Sequence, residues 1–207
     1  LTLEGFMLSG AFSAVLGVSL SGSAWVGIAA GLLGGLVFGA IHAIASLRFR
    51  ADQIVMGIAL NLLAIGSTRL FLKLIFKSSS NSGRVAGFGA DGGGALATLA
   101  NPPFWVGLAA VPVVAWILSR TPYGLRVRAV GEHPAAATSL GVPVMRVRTI
   151  AVLASGALSG LGGAYLALDQ HQFTDEMTAG RGFIALAAII VGSWRPLRAA
   201  LACFLFA

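Results

Sequence analysis

Charge is scarce in this chain, and so are the residues that build reactive centres. Only 10% of its 207 residues are charged, against about a quarter in soluble globular domains. With 57% of the chain hydrophobic, a water-soluble domain is excluded. The single cysteine, Cys203, rules out an intrachain disulfide and a cysteine-rich metal site. His42, His133 and His171 fall on separate segments with no ligand spacing, so no metal site follows. The only lysines, Lys73 and Lys77, follow Leu72 and Phe76, so the Gly-Lys-Ser/Thr of a phosphate-binding loop is missing and ATP must be handled elsewhere. An intramembrane serine protease is disfavoured because Gly156-Ala157-Leu158-Ser159-Gly160 has one residue too many for Gly-x-Ser-Gly, and His171 falls in a loop. The net charge of +7 does not point to nucleic acid, since the cations sit in short loops beside apolar runs and are not interleaved with aromatics on a polar surface.

What the chain has in quantity is apolar runs of membrane length. They predict an all-α, polytopic transmembrane helical bundle of about six to seven membrane segments in one domain spanning 1–207. Residues 5–20 fall just short of a span of about 20 and are expected to begin as a half-helix with Glu4 at its mouth. Residues 25–47 make a full span in which Gly27, Gly31, Gly35 and Gly39 share one face, a packing seam for another helix backbone. After a tight loop at Arg48, Arg50 and Asp52, residues 53–76 span again. Residues 77–103, rich in serine and glycine, read as an extracytoplasmic loop. Residues 104–118 return with Pro112 expected to kink them. Residues 147–168 carry a second seam at Gly156, Gly160 and Ala164, with a parallel row at Ser155, Ser159 and Gly163. Residues 169–181 are polar and more acidic than basic, as an outer loop is. Residues 183–191 are too short to cross alone and break at Gly192-Ser193-Trp194-Arg195-Pro196, which predicts a half-span or broken helix lining a cavity. With no initiator methionine and an end inside the apolar run 197–207, truncation at both ends is expected.

One insert, residues 120–148, is long, polar and basic. Arg120, Arg126, Arg128, Arg146 and Arg148 face a single acid there, Glu132, which is the bias of a cytoplasmic loop. Thr121-Pro122-Tyr123-Gly124 predicts a tight turn out of the bilayer. Pro134, the alanines at 135–137, and then Gly141 with Pro143 predict a helix of about two turns, roughly 10 Å long. Pro143 can then open the next long helix. With this loop inside, nine of the fourteen Lys and Arg lie inside, Lys77, Arg84 and Arg181 lie outside, and Arg69 and Lys73 lie within a helix, provided that the short segment crosses.

The segment GEHPAAATSLGVPVMRVR, preceded by TPYGLRVRAV, resembles the cytoplasmic coupling loop of ABC-transporter permeases of the branched-chain amino acid, simple sugar and nucleoside import family. LEGFMLSGAF at 3–12, ADQIVMGIALNLLA at 51–64 and MTAGRGFIALAAIIVGSWRP at 177–196 resemble other recurring segments of that family, nearest its nucleoside and simple-sugar branch. The resemblance implies a permease of the bacterial cytoplasmic membrane that performs no chemistry and binds no cofactor. It also implies partners: ATP-binding cassette subunits that use ATP and Mg, a second permease subunit in a homo- or heterodimer, and an extracytoplasmic solute-binding protein or lipoprotein. In such a permease Gly131, Pro134, Ala137 and Gly141 would form the knob on which the ATPase acts, with Arg126, Arg128 and Glu132 as polar rim contacts.

Candidates for the solute path are Glu4, Gln53, Asn61 and Phe183. An amide in mid-span such as Asn61 needs a partner, either a polar solute or a neighbouring helix. Phe183 could stack on a planar base or simply pack. Arg69, Lys73 and Lys77 share a face near the outer end of their helix, where snorkelling to the interface explains them better than an anion-attracting role. Few mid-membrane charges suit a neutral solute such as a nucleoside or sugar. A branched-chain amino acid is the alternative, its carboxylate held at a half-helix N-terminus. A secondary transporter or channel is the rival that needs no ATPase.

Overall fold

The computed structural model describes residues 2–78, 80–87 and 102–206. Among these, regular structure is helical apart from one isolated antiparallel bridge between Asn81 and Thr174. The helices are α1 (Leu3–Ser21), α2 (Ala24–Ala43, continued by a π-helical turn at Ile44–Arg48), α3 (Gln53–Phe76), α4 (Pro102–Arg120), α5 (Pro122–Glu132), α6 (Pro134–Ser139), α7 (Val144–Asp169), α8 (Arg181–Val191) and α9 (Pro196–Phe206). Among the described residues α1, α2 with its π turn, α3 and α7 are each long and apolar enough to cross a membrane, and α4 with α5 adds a fifth if that pair, bent by 76°, is counted as one. The 11 residues each of α8 and α9 reach only ~16 Å, about half of a ~30 Å hydrocarbon core. The expected all-α membrane bundle is therefore what forms, and the chain is a multi-pass integral membrane protein.

The first helix departs from expectation. Instead of a half-helix, α1 is an uninterrupted 19-residue helix and the most buried of the spans. It is apolar all round, which suits a helix surrounded by others: α2, α7 and α3 pack on its sides. Leu8, Ala11, Phe12 and Val15 of α1 meet Ala64 and Leu72 of α3, Ala167 of α7, and Phe173 and Met177 of the loop after α7 in one buried cluster.

The glycine seams form as the spacing predicts. The buried residues of α2 are Gly27, Gly31, Gly35, Gly39 and Ala43, one stripe facing α1 and α7. A Cβ on Gly35 would lie 2.6 Å from the Gly160 Cα, and one on Gly160 would lie 2.5 Å from the Gly31 carbonyl oxygen. Gly10 of α1 touches the same Gly160 backbone, and Gly163 touches α1 at Met7 and Ala11. Three helices thus meet almost backbone to backbone. The opposite face of α2, with Leu33, Val37 and Ile41, is exposed and apolar, as a lipid-facing surface is.

The two ends of the bundle differ. Residues 80–87 lie along the loop after α7: Asp175 N–H donates to the Ser80 carbonyl at 3.0 Å, Ser82 N–H to the Phe173 carbonyl at 3.0 Å, and Val85 N–H to the His171 carbonyl at 2.8 Å. Both loops expected outside therefore share one end; residues 79 and 88–101 of the first lie outside the described residues. The basic insert is at the other end, since α7, 26 residues or ~39 Å long, separates them.

The packing makes a specific prediction. Gly160→Ala places a methyl group against the α2 backbone at Gly31 and Gly35, and overpacking of this kind destabilises by about 1–3 kcal/mol, whereas Gly162, two residues on, faces open space. In a thermal melt of the detergent-purified full-length protein, Gly160→Ala should melt several degrees below wild type and Gly162→Ala should match it.

Candidate functional site

Three of the four solute-path candidates converge. The middle of α3, the start of α1 and the loop entering α8 enclose a cleft of about 270 Å³, lined by Glu4, Gly5, Asn61, Thr178, Gly180 and Phe183 among others. Ligand pockets run upward from about 300 Å³, so this is a small one. Asn61 lies 8 positions beyond Gln53, ~12 Å along the helix and ~22 Å from its far end, so the cleft lies within the span. Gln53 does not reach it: as the first residue of α3 it is exposed beside Asp52, whose carboxylate caps the helix by accepting from Ile54 and Val55 N–H.

The contacts that build the cleft are polar and short. The Asn61 Oδ1 accepts from Gly5 N–H at 2.9 Å, fixing the start of α1 against mid-α3. The Glu4 carboxylate accepts from Gly180 N–H at 2.9 Å and from Gly182 N–H at 2.7 Å. Gly180 sits at φ +83°, a left-handed conformation natural to glycine. A Cβ on Gly182 would lie 2.6 Å from the Glu4 nitrogen, so glycine is needed there for the close approach. Phe183 follows on the first turn of α8 with about half its surface exposed. Among the described residues, none of the side chains lining the cleft is cationic.

The loop over the cleft is clamped. Arg69 of α3 donates to Asp175 at 2.7 Å and to Glu176 at 2.9 Å. Arg69, half exposed, thus reaches toward the loop beyond its helix, where the acid excess of residues 169–181 supplies its partners. Thr178, fully buried, was also missed; a lone loop threonine carries no signal of its position in sequence.

A larger groove of about 570 Å³ opens between α2, α4, α7 and α9. Its lining is aliphatic and aromatic with little besides Tyr165, Trp25 and Cys203 to hold a polar solute, so it is the weaker candidate.

The basic insert is more structured than the sequence suggested. Thr121-Pro122-Tyr123-Gly124 is not an isolated turn: Thr121 caps α5 by accepting from Gly124 N–H at 3.1 Å, and Pro122 opens the helix. The missed helix α5 then runs to Glu132, and α6 follows from Pro134. Gly141 at φ +77° ends it, with Val142 N–H on the Ala137 carbonyl and Gly141 N–H on the Thr138 carbonyl, the paired bonds of a Schellman cap. Val130, Ala137 and Val147 form a small core of their own. Ala137 is therefore buried as an internal support, whereas Arg126, Arg128, Gly131, Glu132 and Gly141 are exposed and Pro134 half-buried. The exposed large apolar residues of the insert are Leu125, Leu140 and Met145, with Leu140 84% exposed, and none was singled out by charge or punctuation.

The family described as the branched-chain amino acid transport system permease component matches residues 1–207. The chain belongs to this family. It is thus a transport subunit and not an enzyme. The guanosine ABC transporter permease protein NupQ of Bacillus subtilis is 38% identical to this permease over 221 residues, covering 99% of the chain and 69% of NupQ. The nucleoside ABC transporter permease protein NupC of Lactococcus lactis is 37% identical, with the same coverage. TsgC13 of Haloferax volcanii, a candidate glucose ABC transporter permease, is 33% identical over 100% of the chain and 65% of its own length. No solved structure gives a significant match.

The clamp on the permease's cleft loop can be tested. Arg69 is half exposed, and such ion pairs contribute about 0.2–1 kcal/mol. Arg69→Gln should therefore raise amide exchange across residues 173–179 up to about five-fold, measured by hydrogen-exchange mass spectrometry. Unchanged exchange would mean that the backbone bonds from residues 80–85 hold the loop alone.

Proposed function

We propose that this chain is the permease subunit of an ATP-driven importer in the bacterial cytoplasmic membrane, forming the path for a neutral solute, a nucleoside or simple sugar. The observation that carries the reading is the mid-span cleft, which Asn61, Thr178 and half-exposed Phe183 line and where no lining cation is present among the described residues. An uncharged polyhydroxy or heterocyclic solute needs hydrogen bonds and a stacking face, not a counter-ion. The names of NupQ, NupC and TsgC13 support the same solute classes.

In this reading the insert 120–148 lies in the cytoplasm and docks on an ATP-binding subunit, which uses ATP and Mg. The loops at 80–87 and 170–180 face outward, where a solute-binding protein or lipoprotein delivers the solute. A second permease subunit, identical or related, completes the path. Leu125 and Leu140 give the insert apolar anchors amid arginines, the composition of a docking surface. The internal core of Val130, Ala137 and Val147 would let the insert move as one piece when the ATPase closes.

The test is co-purification of the full-length permease with its ATP-binding subunit, together with uptake of labelled guanosine, uridine and glucose in reconstituted vesicles. Leu140→Asp should weaken retention of the ATPase at least about ten-fold, the loss expected of a central apolar anchor, and abolish ATP-dependent uptake without lowering the melting temperature. Uptake by wild type that persists without the ATPase would replace the importer by a secondary transporter or channel.

A further inference from the structure

Glu4 was one candidate for the solute path, yet both of its carboxylate oxygens are already engaged, one by Gly180 N–H and the other by Gly182 N–H. These two groups stand at the opening of α8, whose first residue is Arg181. A helix N-terminus with free N–H groups is where a solute anion would be held in a membrane path. Here Ala179 at φ +44° and Gly180 at φ +83° bend the chain so that the alternate N–H groups of Gly180 and Gly182 meet at one place, while Ala179 N–H bonds the Glu176 carbonyl and Arg181 N–H the Thr178 carbonyl. The occupant, however, is the chain's own carboxylate.

Its position is over-determined. Asn61 holds the neighbouring Gly5 N–H, and a Cβ on Gly5 would lie 2.9 Å from the Asn61 Oδ1, so the start of α1 is seated against α3. Gly182 leaves room for the Glu4 backbone and carboxylate alike. Around the cleft the other acid, Glu176, is taken by Arg69. No lining cation is present among the described residues to receive a second anion.

We infer that Glu4 is a specificity-determining residue: its carboxylate stands where a solute carboxylate would dock, so the path admits neutral solutes and rejects carboxylates. This rests on the proposed importer reading and deepens it.

The experiment is chemical rescue on the full-length permease in complex with its ATPase. Glu4→Ala vacates the space in front of the Gly180 and Gly182 N–H groups. Its melting temperature should fall in sodium chloride and recover saturably in sodium acetate at equal ionic strength, while wild type is unmoved by the exchange of salts. Acetate acting equally on both proteins, or on neither, overturns the inference and leaves the importer reading intact. Glu4→Gln, which keeps shape and removes charge, is the second variant. It should let uridine 5′-carboxylate inhibit uridine uptake at least about ten-fold more strongly than in wild type, the effect of removing one close like charge; equal inhibition in both also overturns the inference. If Glu4→Ala folds in neither salt, Glu4→Gln decides alone. If wild type transports none of the neutral solutes, the importer reading fails, and acetate rescue still reports whether Glu4 fills an anion site.

Discussion

The structure depends on the contact of three helix backbones at Gly10, Gly35 and Gly160. In a membrane, helices gain little from burying apolar side chains against one another, because lipid is equally apolar; close van der Waals contact and small residues do the work. Glycine at these positions lets α1, α2 and α7 approach until only backbone separates them. That contact turns α1 into the buried centre of the bundle and leaves the outer faces of α2 and α3 apolar and exposed.

From the seated α1 the cleft follows. Its N-terminal end projects Glu4 and Gly5 to the depth of Asn61, where the loop descending from α7 delivers Gly180 and Gly182. Loop backbone at such depth is tolerable only if its N–H and C=O groups find partners. Residues 80–87, Arg69 and Glu4 supply several of them. The same contacts that satisfy the loop also shape the space beside it.

The insert at the other end is built on a different principle. It has its own caps, its own positive-φ glycine and its own valine-alanine core, and so behaves as a small folded unit attached to α4 and α7. Local signals predicted α6, because proline at its start and Gly141 at its end act through neighbouring residues only. They did not predict α5, since Thr121-Pro122-Tyr123-Gly124 satisfies both a turn and a capped helix start, and the choice between them lies in how Gly124 packs on the end of α4. The inward direction of Ala137 was equally hidden, because alanine favours a helix whichever way it faces.

By itself the sequence determined the membrane class, the long spans of α2, α3 and α7, the glycine seams and the place of the basic loop. These depend on composition and on the 3.6-residue period, which any helix of that sequence must express. Tertiary structure alone decided that Glu4, Asn61 and Phe183 share a cleft while Gln53 does not, that Arg69 pairs with Asp175 and Glu176, and that the carboxylate of Glu4 fills the start of α8. Those contacts join residues up to 178 positions apart. No local period encodes such a distance; it is set by how closely the glycine faces let the helices approach and by where that leaves the loop between α7 and α8.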